Sequence, residues 1–283
     1  MKRIIQYIIA TILALAILAL TIVNILSSTI LSQEYILSKL QKQNYYDKIC
    51  EEAESNFENY IHQSGLDEEV LEEIVTKEKI QKDTKIIINN IYNGMNEKID
   101  TEEIKNNLNG KINNSIDGKI SSSQQKSIDT FVDTICKEYE KTISHTNYEK
   151  KINSIINKAN KYIDIAKKAL LITIGVSVIL LILLTIKRIY RITARIGTAF
   201  IIDGLIFIIA EKYIKSKIKI DTIMVLNQGI SDVLQSILTE ILSNILKTGS
   251  IMLGIGILLT IIYGIIKSIR KAKREKEQYT PEN

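Results

Sequence analysis

Apolar residues in this chain are gathered into four blocks, Ile4 to Leu26, Ala169 to Ile186, Ile196 to Ala210 and Gly249 to Ile266. A helix rises about 1.5 Å per residue, so a block of about 18 residues or more covers roughly 27 Å or more, close to the hydrocarbon thickness of a bilayer. The chain averages, 46% hydrophobic and 24% charged over 283 residues, resemble those of a soluble protein and conceal this segregation. The blocks are therefore predicted to be membrane spans. The third is short, yet Thr193 to Ile214 supplies a full span if Arg195 and Lys212 extend their charged tips to the two interfaces.

Orientation follows from basic residues near the span ends. The arginines, Arg3, Arg188, Arg191, Arg195, Arg270 and Arg274, all fall on one side if the N-terminus is cytoplasmic. Lys212, Lys215, Lys217 and Lys219 then lie outside, but the opposite orientation would expel three basic clusters to retain that one. Both termini are thus expected to be cytoplasmic in a multi-pass protein of the cell membrane. The first apolar block is longer than the about 7 to 15 residues of a signal-peptide core, and no clear small-x-small site follows it. Residues 1–26 are predicted to form an uncleaved signal-anchor.

The long segment between the first two spans, 27–168, is expected to be an extracytoplasmic domain with its own core. It contains 20 Lys, no Arg and 24 Asp plus Glu, a mildly acidic balance without a nucleic-acid footprint. Tyr46, Ile49, Cys50, Ala53, Phe57, Tyr60 and Ile61 recur at three- and four-residue steps, as do Ile128, Phe131, Val132, Ile135, Tyr139 and Ile143. Each set lies on one face of a helix. Ser64 with Asp67, Asp100 with Glu103 and Ser122 with Gln125 have capping spacing. Glycines 65, 94, 110 and 118 punctuate the segment, and proline is confined to Pro281 in the tail.

The expected fold is all-α: four transmembrane helices, with an antiparallel bundle of about five helices between the first and second. The bundle helices are predicted near 30–62, 66–80, 83–98, 101–118 and 122–168, the first continuing from the first span and the last running into the second. A transmembrane hairpin at 169–214 follows. Next come an amphipathic extracytoplasmic helix at 215–248, a fourth span at 249–267 and a basic cytoplasmic tail at 268–283. The amphipathic face, Ile230 through Leu246, carries no Lys or Arg before Lys247, so docking on the bundle is preferred to lying at the lipid surface.

Asp203 is the one carboxylate within these apolar blocks, and no Lys, Arg or His lies inside them. A charge at the bilayer centre costs about 2.5 to 3.5 kcal/mol on insertion scales. Protonation, a bound cation or a residue from another chain could neutralise it. A protonated Asp203 could hydrogen-bond to Ser177 or Thr173 of the second span or Thr260 of the fourth, with Ala199, Gly204 and Ala210 allowing close helix approach. A structural interhelical bond, a proton or cation path and a lipid or partner contact are the three readings. Gly256, Thr260 and Gly264 repeat every four residues, as small residues do where membrane helices touch.

Cys50 and Cys136 are the only cysteines. Outside the cytoplasm they could form a disulfide, although each also sits on or beside an apolar stripe where a free thiol behaves as a small hydrophobe. His62 and His145 match no metal motif and are expected at the surface. The acidic run Asp67 to Glu73 reads as the start of a helix. The basic tail Lys267 to Glu277 suits attraction to anionic head groups and a topology anchor. No nucleophile-base pair, metal cluster or phosphate loop is apparent, so neither catalysis nor a cofactor is expected.

"SQEYILSKLQKQNYYDKI", just past the first span, and "SGLDEEVLEEIVTKEKIQKDTKIIINNIYNG" resemble uncharacterised multi-span membrane proteins of low-GC Gram-positive bacteria. The resemblance covers the first span and about half of the expected outside domain, and implies the architecture without implying catalytic residues. The expected function is binding: an extracytoplasmic helical domain that contacts a protein or envelope component, or senses envelope state, in contact with the bilayer and a protein partner or a second copy of the chain. The alternative is a small oligomeric transporter or channel moving protons or a cation past Asp203.

Overall fold

Every regular element among the described residues is helical. The computed structural model describes residues 2–64, 66–116, 120–144, 146–186, 190–225 and 227–278. His145, Gly65, Gly118, Arg188 and Pro281 lie outside them. The helices are α1 (Lys2–Ser28), α2 (Gln33–Lys42), α3 (Tyr45–Ser64), α4 (Lys77–Asn93), α5 (Glu102–Ser115), α6 (Ser122–Ile143), α7 (Thr146–Thr185), α8 (Tyr190–Lys217) and α9 (Gln228–Gln278). Among the described residues four segments are long and apolar enough to cross a membrane: Ile4–Ser28, Glu149–Thr185, Tyr190–Thr222 and Gln228–Arg274.

The chain divides into two units, one of residues 1–29, 160–222 and 237–283, the other of 30–159 and 223–236. In the first, α1 and α7 pack through Ile9, Leu13 and Leu181, flanked by Ile17, Ile174, Val178, Leu184 and Ile196. Gln6 Nε2 donates to the Leu184 carbonyl and Lys167 Nζ to Ser27 Oγ, so the two helices run antiparallel. Arg195 lies over Tyr7, which brings the start of α8 against the start of α1. Gly197 faces Gly256 and Gly204 faces Gly249, which sets α9 antiparallel to α8. Arg191, Arg195 and Arg270 therefore share one end of this unit with the start of α1. Away from these seams the surface is apolar: Ile4, Leu183, Ile209 and Ile251 are each at least 60% exposed. A soluble monomer rarely exposes so continuous an apolar surface.

The second unit packs short helices around an aliphatic core, with α3 antiparallel to α6. Ile49, Ala53, Phe57 and Ile61 of α3, Ile80 of α4, Ile104, Leu108 and Ile112 of α5, and Val132, Ile135 and Tyr139 of α6 are all buried. Direction is read from cross-helix bonds. Asn56 and Tyr60 of α3 meet Thr142 and Glu138 of α6. Lys105 of α5 meets Asp133 of α6.

Several expected boundaries move. The helix expected at 30–62 is two helices, α2 and α3, because Asn44 takes a left-handed backbone with φ 52°, a conformation Asn tolerates better than most residues. Nor does it continue from α1: Ser28 ends that helix, and Ser32 caps α2 by accepting from the Tyr35 amide. The segment expected as a helix at 66–80 forms only a single 3-10 turn, Glu68–Val70, before Thr76 caps α4 through the Lys79 amide. Gly94, at φ 67°, terminates α4 in the left-handed conformation common at helix C-termini.

Ser121 and Gln124, rather than Ser122 and Gln125, make the capping box of α6. Ser64 ends α3 instead of starting a helix, and Thr101, not Asp100, occupies the N-cap of α5. The helix expected at 122–168 is interrupted at Ser144, where the backbone turns extended. Conversely, the amphipathic helix and the fourth span are one uninterrupted helix, α9. Its first turns belong to the second unit, where Asp232 pairs with Lys48, Ser236 accepts from Gln43 Nε2, and Gly229 lies against the Tyr45 ring.

Candidate functional site

Asp203 stands on α8 beside a close glycine contact with α9. A Cβ at Gly204 would lie 2.7 Å from both the Gly249 carbonyl oxygen and the Leu253 amide nitrogen, and one at Gly256 2.7 Å from the Gly197 carbonyl oxygen. Two glycine pairs seven residues apart thus let the backbones of α8 and α9 touch, the arrangement small residues permit between apolar helices. The expected stripe of Gly256, Thr260 and Gly264 is only half correct. Thr260 Oγ1 packs 3.0 Å from where a Gly197 Cβ would stand, whereas a Cβ at Gly264 would meet nothing within 4 Å.

The Asp203 side chain is 1% exposed and its Oδ2 has no hydrogen-bond partner. The interhelical bonds expected for it do not form. Thr260 Oγ1 donates to the Gly256 carbonyl and Thr173 Oγ1 to the Ala169 carbonyl, each within its own helix. Ser177 is buried on α7, but among the described residues no hydrogen bond joins it to Asp203. Ala199 and Gly204 are buried as close approach requires, while Ala210 is only half-buried.

A second polar centre, absent from the sequence-based expectations, lies in the core of the other unit. Lys79 Nζ donates to Asp83 Oδ2 at 2.5 Å and to the Asp100 carbonyl at 2.6 Å. The Tyr139 hydroxyl donates to the same Asp83 oxygen at 2.6 Å, and the ammonium lies 5.7 Å from the Tyr139 ring centre. All three side chains are buried, and Asp83 Oδ1 and Thr84 Oγ1 have no hydrogen-bond partner. Burial first, then the bond to Asp83, pushes the Tyr139 phenol well above its ordinary value. The centre ties α4 to α6 and to the backbone just before α5. The sequence does carry a signal for it: Asp83 occupies the helical stripe of Ile80, Ile87 and Ile91, where an apolar residue is the rule.

The two cysteines are free thiols. Cys50 Sγ donates to the Val75 carbonyl and Cys136 Sγ to the Thr101 carbonyl. Burial, reinforced by Glu54 and Asp47, pushes the Cys50 thiol up to about 11, and burial likewise raises Cys136. Both are thus protonated and weakly nucleophilic near neutral pH. His62 is exposed, with Nδ1 3.8 Å from Glu68. Among the described residues no three His, Cys, Asp or Glu side chains are placed to hold a metal ion.

A groove of about 580 Å³ opens between the C-terminal end of α3, the end of α5 and the N-terminal half of α6. Tyr60, Leu66, Ile116, Ile128 and Phe131 give it an apolar floor, and Ser64, Ser123, Gln124, Ser127, Thr130 and Thr134 supply neutral hydrogen-bonding groups. Phe131 explains an inconsistency in the α6 stripe. Its neighbours on the apolar face, Val132 and Ile135, are fully buried, whereas Phe131 is only half-buried and faces the groove. An apolar surface with a few convergent polar groups is the usual character of a binding site.

No family model matches this chain, and no curated protein or solved structure matches it.

Proposed function

We propose that this is a multi-pass membrane protein whose helical unit is displayed outside the cytoplasm and binds a protein or an envelope component without catalysing a reaction. The observation that carries this reading is the groove beside α6, which leaves Phe131 half-buried in a unit whose other large apolar side chains on that helix are enclosed. Among the described residues the groove lining includes no charged side chain, and these residues recognise an occupant through apolar contact and neutral hydrogen bonds. Because α7 and α9 each contribute residues to both units, displacement of either helix by a bound partner has a covalent route to the apolar segments.

The excess of arginine at the basic end of the apolar helices supports a cytoplasmic location for that end and for the N-terminus. A photo-crosslinking amino acid at position 127 of the full-length protein in cells tests the binding reading. A discrete crosslinked species, diminished by Phe131→Ala, is expected. Background labelling alone, or a species indifferent to Phe131→Ala, overturns it.

A second reading has its own observation, the unpartnered Oδ2 of the buried Asp203. Here the apolar helices, assembled with a second copy of the chain, move protons or a cation past that carboxylate. Asp203→Asn preserves shape and removes the titratable group. Proteoliposome flux that is present in the unmodified protein and lost in the variant supports transport; absent or unchanged flux removes it.

A further inference from the structure

The basic end of the apolar helices is more ordered than a run of positive charge. Arg195 Cζ lies 3.6 Å from the centre of the Tyr7 ring, so α8 and α1 are joined by a guanidinium against a phenol. On the neighbouring pair of helices, Tyr190 of α8 and Tyr263 of α9 stack with centroids 5.8 Å apart and planes inclined by 15°. Arg270 lies 4.6 Å from the Tyr190 ring centre and Lys267 6.0 Å from that of Tyr263. Three tyrosines on three helices therefore carry three cations at one end of the unit.

Stacking constrains a guanidinium in a useful way. A guanidinium lying face-on to a ring keeps its N–H donors in its own plane, where they can grip two oxygens of a phosphate at once, and the 3.6 Å approach of Arg195 to Tyr7 fits that arrangement. Among the described residues neither Arg195 nor Arg270 has a hydrogen-bond or ion-pair partner. The chain offers them little opportunity for one, since no Asp or Glu occurs in residues 1–33, 165–202 or 241–274. Among the described residues no carboxylate meets either guanidinium, which leaves both open to an anion from another molecule.

Its character is set by what adjoins the arginines. Ile4 and Ile8 flank Tyr7 and are 64% and 54% exposed; Ile265 and Ile269 flank Lys267 and are 54% and 63% exposed. A soluble anion has no use for such a border, whereas an amphiphile with an anionic head and acyl chains satisfies both surfaces. We infer that Arg195, held on Tyr7, and Arg270, held on Tyr190, each bind the phosphodiester head group of an anionic phospholipid, with the acyl chains lying along the exposed isoleucines. The inference rests on the membrane placement of these helices, not on the groove of the other unit.

The test uses the full chain purified in a zwitterionic detergent and mixed with phosphatidylglycerol or phosphatidylcholine of identical acyl composition, with retained lipid counted by native mass spectrometry. Retention of phosphatidylglycerol should exceed that of phosphatidylcholine by at least about tenfold, as expected for two basic groups at a lipid surface. The double variant Arg195→Gln/Arg270→Gln should bring it down to the phosphatidylcholine level. The double variant Tyr7→Leu/Tyr190→Leu keeps both charges and removes the stacking; it should also lose most of the preference.

Equal retention of the two lipids, or a preference unchanged in a folded Arg195→Gln/Arg270→Gln protein, overturns the site. Displacement of phosphatidylglycerol by millimolar inorganic phosphate alone overturns the lipid assignment in favour of a free anion. Helical content by circular dichroism verifies folding of each variant. A need for detergent to extract the chain from membranes is scored separately, so loss of the lipid site is distinguishable from loss of membrane placement.

Discussion

Lys79 and Asp83 are four residues apart on α4, so a single helical turn brings their charges together, but their burial makes the pair consequential. Two opposite charges removed from water attract strongly and also lose their hydration, and the balance is close to neutral only while both remain. Lys79→Met leaves the Asp83 carboxylate buried with the Tyr139 hydroxyl as its remaining side-chain donor. The expected loss is about 3 to 5 kcal/mol in denaturant unfolding of the full chain. Lys79→Met/Asp83→Leu should recover most of that loss, because no unpaired charge is left behind. Equal destabilisation of the single and double variants would show that the ion pair itself, rather than the cost of orphaning one partner, holds α4 in place.

Cys50 allows a pH test at the same scale. Its folded thiol titrates near 11, above the about 8.5 of a free cysteine, and it is the neutral form that folding favours. The stability associated with this shift is fully present below the unfolded value and is lost as pH rises through the folded one. Alkylation of the native protein by iodoacetamide should accordingly be slow at pH 8 and accelerate towards pH 11. A rate already at its plateau by pH 9 would contradict the partly buried environment of this thiol.

Among the elements, α8 and α9 have the narrowest tolerance. Gly204→Ala would place a Cβ 2.7 Å from backbone atoms of α9, so the helices must separate, whereas Gly264→Ala adds a methyl group where nothing lies within 4 Å. Thermal unfolding in detergent should fall clearly for Gly204→Ala and remain nearly unchanged for Gly264→Ala; the reverse order would place the seam on the other glycines. A repeat of small residues reveals that a helix contact exists, but two offset series, Gly249/Gly256 and Gly256/Thr260/Gly264, fit one helix. Only the partner Gly197/Gly204 selects between them.

The same limitation explains which boundaries were legible. The period of Ile128, Val132, Ile135, Tyr139 and Ile143 specifies the buried face of α6, and it is buried. The break at Asn44 was not readable, because the residues on either side remain helical in pattern and only the backbone angle interrupts them. The union of the amphipathic segment with the fourth span was hidden for the opposite reason: a change of composition near Thr248 looks like an element boundary although nothing there stops a helix. Of the candidate sites, the buried position of Asp203 was legible from its apolar surroundings. That its Oδ2 meets no hydrogen-bond partner among the described residues was not, since Ser177, Thr173 and Thr260 qualify by depth but their faces depend on helix rotation.

At the scale of the whole molecule, the two units differ in the solvent their surfaces suit. One carries apolar side chains outward along four long helices, while the other encloses its aliphatic residues and presents lysines and carboxylates. The display of the second unit beyond the cytoplasm is the claim on which the proposed binding role depends. It is tested most directly by labelling intact cells that express the full chain with a membrane-impermeant amine reagent, then locating the modified lysines by mass spectrometry. The exposed Lys42, Lys82, Lys126 and Lys151 should react in intact cells, and Lys267, Lys271 and Lys273 only after permeabilisation. Reaction of the second group in intact cells, with protection of the first, would contradict the placement.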